Sequence, residues 1–125
     1  MKASPSGVVI VHVEEAALSM TPAATEIPAG GTLNAVAGAA NNTHMARSYR
    51  FVSMVTLPNG KTFPRSGFLI GPLAVPLTPF QSRGGNISHR VPSAAPAGSY
   101  RYRAFLVDSR RRVVAADSFD FTVTK

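Results

Sequence analysis

The chain has 125 residues, with 13 Lys and Arg against 6 Asp and Glu, a formal net charge of +7. That length is one ordinary domain, and it buries roughly two-thirds of its unfolded surface, enough to fold without disulfide or metal. Hydrophobic residues at 45% with charged ones at 15% exclude a disordered tail, and the absence of Cys removes thiol nucleophiles, Cys-ligated zinc, iron–sulfur clusters and disulfide frameworks.

Every apolar run, such as Val8–Val11, Phe68–Ile70 and Phe105–Val107, is far short of the ~20 residues of a membrane helix, so no membrane insertion is expected. Met1–Gly7 is too polar and short for a signal peptide. Taken literally, the chain begins in the cytoplasm; equally, it reads as a domain cut from a longer exported protein. Residues 1–6 are expected to be disordered, and residues 1–125 to form one domain. The triplets Asn41-Asn42-Thr43 and Asn86-Ile87-Ser88 are read as chance rather than glycan acceptors.

Ten Gly and ten Pro divide the chain into segments too short for most helices of about 11 residues. Between the breaks, alternation with period two and β-branched or aromatic residues predict strands. Val8–Val13 reads as a first strand, apolar on both faces, and Ala17–Met20 as a second piece stopped by Thr21-Pro22. Ile27–Gly31 reads as a turn, Thr32–Ala39 as a strand of small residues, and Asn41–Thr43 as a loop. Ser48–Leu57 is the longest strand candidate, closed by the turn Pro58-Asn59-Gly60-Lys61, with Thr62-Phe63 returning briefly. Prolines and glycines make residues 64–85 an irregular crossover with short edge strands at Gly67–Ile70 and Leu73–Leu77. Asn86–Val91 is a strand, followed by the spacer Pro92–Gly98. Tyr100–Leu106 and Ser118–Val123 form the last hairpin, with Tyr100, Tyr102, Leu106, Phe119, Phe121 and Val123 facing the core. Seven to nine strands spaced by about 10 residues predict an all-β, antiparallel two-sheet sandwich with a Greek-key step at the crossover.

Several of these pieces together resemble the immunoglobulin-like or fibronectin-III-like modules of exported bacterial proteins. They are Ile27-Pro28-Ala29-Gly30-Gly31-Thr32-Leu33, Asn41-Asn42, Val55-Thr56-Leu57-Pro58-Asn59-Gly60-Lys61, Val91-Pro92, Ala95-Pro96-Ala97-Gly98-Ser99-Tyr100 and Asp117–Val123. The resemblance implies an immunoglobulin-like fold and a spacer, adhesin or accessory binding role, extracellular or at the cell surface. Without Cys or Trp the antibody-type bridge and buried indole are missing. By the same resemblance, Tyr100 is placed as a tyrosine corner, bonding back to nearby backbone.

Catalytic chemistry finds little support. His12, His44 and His89 sit on different elements without metal spacing and are read as solvent-facing or incidental, so neither metal nor cofactor is expected. Glu14 and Glu15 are adjacent and point apart on a strand; Asp117 and Asp120 are read as solvated or paired with Arg. Gly30-Gly31 and Gly84-Gly85 read as turns, and no nucleophile elbow, phosphate loop or dinucleotide fingerprint occurs. The expectation is a non-enzyme.

Charge is the remaining clue, since ten of the thirteen basic residues are Arg. Arg101 and Arg103 share a strand face; Arg50 and Arg90 would join them if their strands are neighbours, and Arg110, Arg111 and Arg112 project from a hairpin tip. Guanidinium forks suit carboxylate, sulfate or phosphate, although solubility by net charge is the plainer account. Nucleic acid is disfavoured because Tyr100 and Tyr102 are committed to the core. The leading expectation is a non-catalytic interaction or structural module whose partner is another protein. Its alternatives are an acidic-polysaccharide or polyanion binder, and a self-associating coat or decoration protein.

Overall fold

The computed structural model describes residues 15–125. The expected strand Val8–Val13, the expected disorder of residues 1–6, His12 and Glu14 lie outside the described residues.

Nine strands are formed among the described residues: β1 (Ala16–Pro22), β2 (Glu26–Pro28), β3 (Thr32–Asn41), β4 (Arg47–Thr56), β5 (Thr62–Phe63), β6 (Ile70–Leu77), β7 (Ser82–Arg90), β8 (Gly98–Val107) and β9 (Val113–Thr124). They make two sheets, one ordered β1-β3-β7 and one ordered β2-β9-β8-β4-β5, with β6 also paired to β4. The chain crosses between sheets after β1, β2, β3, β6 and β7, so the all-β sandwich and its Greek-key path are as expected. One pairing departs from antiparallel order: β2 runs parallel to β9. Ile27-Pro28 is therefore a strand rather than part of a turn, and the chain switches sheets between β1 and β2. Thr25 marks the switch by accepting a hydrogen bond from Thr122 N–H at 2.7 Å.

Alternation places the core. In β8, Tyr100, Tyr102, Ala104 and Leu106 point inward and meet Phe121 and Val123 of β9. Tyr100 lies opposite Phe121 and Tyr102 opposite Phe119, and each pair of rings stacks at 5.2 Å between centroids. Such cross-strand pairs contribute about 0.2–1 kcal/mol each. Tyr100 donates its hydroxyl hydrogen to the Pro96 carbonyl at 2.6 Å, closing the corner the sequence predicts. Asn41, expected in a loop, ends β3 fully buried, because its amide donates to the Met45 and Thr78 carbonyls and its Oδ1 accepts from Thr43.

The two sheets do not close equally on both sides. Along one side β1 packs against β9, and Met20 N–H donates to Asp117 Oδ2 at 2.7 Å. Along the other, β6 and β7 are edge strands. β6 is a single eight-residue strand, and Pro72 and Pro76 deprive it of donors, which protects its edge. β7 begins at Ser82, so Gly84 and Gly85 lie inside a strand rather than in the expected turn, opposite Gly38 and Ala37 of β3. These small residues fill little of the space between the sheets there. A groove of about 490 Å3 remains between β6 and β7.

Candidate functional site

The outward face of the larger sheet carries the most distinctive surface. Because β8 presents its even positions to the core, its odd positions Arg101, Arg103, Phe105 and Val107 face outward. On β4 the outward positions are Arg50, Val52, Met54 and Thr56, and register sets Arg50 beside Val107 and Met54 beside Arg103. Phe68 from the loop before β6, Pro72 of β6 and Val113 from β9 complete an apolar groove of about 730 Å3, with Arg50 and Arg111 among its walls. Val52 is only 5% exposed, although it belongs to the outer face. Phe68 is 41% exposed and Val113 59%. The Arg103 guanidinium lies 5.4 Å from the Phe105 ring centroid, a cation–π contact over that ring.

The β8–β9 turn forms one end of the groove. Asp108 organises it, as Oδ1 accepts the backbone N–H groups of Arg110 and Arg112 and Oδ2 accepts Nε of Arg112 at 2.9 Å. Those bonds, the Arg112 backbone N–H foremost, hold the Asp108 carboxyl below its usual value. Arg111 takes a left-handed backbone, φ 63°. Across the turn, a second recess of about 480 Å3 gathers Arg47, Arg110 and Arg112 with Glu15, Asp108 and Tyr49. Glu15 accepts the Tyr49 hydroxyl at 3.0 Å, and burial, with this carboxylate beside it, pushes that phenol up to about 12. The two recesses together hold five arginines against two carboxylates, and both carboxylates are already engaged. Among the described residues neither Arg50 nor Arg111 has an ion-pair partner.

The arginines named from sequence therefore divide. Arg50, Arg110, Arg111 and Arg112 converge around the turn, and Arg103 lies on the same face, nearer the middle of β8. Arg101 shares that face but sits six residues from Val107, roughly 20 Å along the strand. It is occupied by Asp120 at 2.8 Å, which lowers the carboxyl's pKa and raises the guanidinium's. Arg90 does not join them, because β7 belongs to the smaller sheet and pairs with β3, not with β4 or β8. Arg47 and the apolar floor went unread in the sequence. The signal for the floor was available, since Phe105 and Val107 continue the odd-numbered face of Arg101 and Arg103.

His89 also differs from expectation. It is half-buried, and its Nε2 lies 2.8 Å from the Tyr102 hydroxyl, which donates to Ser53 Oγ at 2.8 Å. Burial lowers the imidazole's pKa. Among the described residues no group of three His, Asp or Glu gathers as a metal site, and no helix is long and apolar enough to cross a membrane.

No family model and no curated protein sequence matches the chain. Solved structures share its fold. Alkylpurine DNA glycosylase AlkC of Pseudomonas fluorescens, bound to DNA containing an abasic site analogue, superposes with a TM-score of 0.69 at 10% identity, over 91% of this chain and 32% of that one. This chain thus spans about a third of that protein. A Niemann-Pick type C2 protein from the Japanese carpenter ant gives 0.65 at 12% identity, over 89% and 94% of the two chains. The CARDB domain of the PF1109 protein from Pyrococcus furiosus, in complex with di-metal ions, gives 0.60 at 13% identity, over 87% and 85%. At such identities the likeness establishes a shared β-sandwich fold and nothing about activity.

Proposed function

We propose that the chain is a non-catalytic, immunoglobulin-like interaction module, an accessory domain of an exported bacterial protein, that docks an acidic segment of a protein partner. The observation that carries this reading is the outer groove of β4 and β8, an apolar floor walled by Arg50 and Arg111, whose one carboxylate, Asp108, is already bonded to Arg112 within the turn. A floor of Val52, Met54, Phe105 and Val107 favours side chains over a hydroxyl-rich sugar chain, and the guanidinium forks favour carboxylates. Alternating Glu and Leu along an extended peptide would satisfy both.

A synthetic peptide of alternating Glu and Leu, titrated by fluorescence anisotropy, tests the reading. Binding should saturate and weaken as salt rises from 50 to 300 mM. Arg50→Ala with Arg111→Ala should weaken it roughly ten-fold, two exposed charge pairs contributing up to about 1 kcal/mol each. Arg101→Ala should leave it unchanged, because Arg101 is held by Asp120. Tighter binding of heparin than of the peptide, lost in the same double variant, would replace the protein partner with an acidic polysaccharide.

A further inference from the structure

A second cavity lies between the sheets, away from the outer groove. It has a volume of about 260 Å3 and opens beside β5 and the end of β7. Its walls include Leu33, Val55, Phe63, Val91 and Phe121, with Ala95 and Pro96 from the spacer between β7 and β8. Phe63 is 49% exposed there, an apolar ring left in water.

Walls of this kind stay dry when empty, because water needs two to four polar partners. Of its polar lining residues, Arg90 is exposed, the Tyr100 hydroxyl is held by the Pro96 carbonyl, and His89 and Tyr102 form a hydrogen-bonded pair. With the Tyr102 hydroxyl donating its hydrogen bond to Ser53 Oγ, its oxygen accepts from Nε2–H of a neutral His89. In the opposite tautomer the phenol would donate to Nε2. Either way Nε2 is committed, and Nδ1 has no partner among the described residues. That nitrogen can pair with a ligand group in place of water. A hydroxyl both donates and accepts, so it fits either tautomer.

We propose that this inter-sheet cavity binds a small apolar molecule ending in a hydroxyl group, its tail between the sheets and its hydroxyl on His89. The volume is below the ~300–1,000 Å3 of sites for drug-sized ligands, which limits the occupant to a smaller molecule. The room lies between Leu33 and His89 of the smaller sheet and Val55, Tyr100, Tyr102 and Phe121 of the larger one. This site is independent of the outer groove, so either can fail without the other.

The test uses 1-octanol and 1-chlorooctane as probes, followed by amide NMR on the full chain. With 1-octanol, resonances of Leu33, His89 and Tyr102 should shift saturably, and those of Arg50 and Val107 should not. His89→Leu replaces the imidazole by an apolar side chain of similar size; it should weaken 1-octanol about five-fold, one hydrogen bond's worth, and leave 1-chlorooctane unaffected. Ala95→Trp, on the loop and so outside both ladders, should fill the mouth and abolish binding while the spectrum stays folded. Absence of saturable shifts in the wild type, undiminished binding to folded Ala95→Trp, or equal affinity for the two probes would each overturn the proposal.

Discussion

Tyr102 has no exposed surface, and its hydroxyl links two polar side chains: Ser53 on β4 of its own sheet and His89 on β7 of the facing one. It is therefore a polar tie between layers inside an apolar core. Tyr102→Phe keeps the ring and its stack on Phe119 but leaves Ser53 Oγ and His89 Nε2 without that partner. The expected loss is about 1–3 kcal/mol, the penalty for unsatisfied buried polar groups. Urea denaturation at an unchanged m-value measures it, and a loss below 0.5 kcal/mol would mean the tie does not hold the layers. The inward direction of Tyr102 is legible in the alternation of Tyr100–Leu106. Its partners are not, because Ser53 and His89 meet it only once three strands from two sheets are in place. The same reason explains why His89 looked incidental in the sequence.

At the scale of elements, β6 shows what sequence punctuation does and does not say. Pro72 and Pro76 mark an edge correctly, since neither residue can donate to a ladder. They do not break the strand, because its donors on the outer edge have no partner strand to lose. Gly71 meets a different need. Its φ is 95°, and the register between β4 and β6 shifts between Phe51 and Ser53, so the two backbones come close there. A Cβ at Gly71 would run into the Phe51 carbonyl, a backbone atom that cannot rotate away. Gly71→Ala is therefore expected to cost about 2 kcal/mol or more, combining a forbidden φ with an overpacked contact. Gly85→Ala, with open space around it and an ordinary φ, should be within about 0.5 kcal/mol of wild type. Thermal denaturation of the two variants side by side decides the matter; equal midpoints would remove the close approach as an explanation. From sequence the two glycines look alike, because what distinguishes them is the neighbouring strand.

For the molecule as a whole, the consequence of unequal closure is unequal stability. β4 and β8 are paired on both sides and carry Tyr49, Phe51, Tyr102 and Leu106 in the core. β7 pairs only with β3, exposes most of its residues, and borders both inter-sheet cavities. Opening β7 uncovers little apolar surface, whereas opening β8 takes the core apart, so the free energies of the two events should differ. Native-state hydrogen exchange is expected to show the amides of Tyr102–Leu106 exchanging only through global unfolding. Those of β7 that bond to β3 should exchange through a smaller opening that responds weakly to denaturant. Saturating 1-octanol should slow exchange in β7 more than in β4, since the occupant would hold the open side shut. If β7 instead exchanged with the same denaturant dependence as β8, the two sheets would behave as one cooperative unit, and the open side would be no weaker than the closed one.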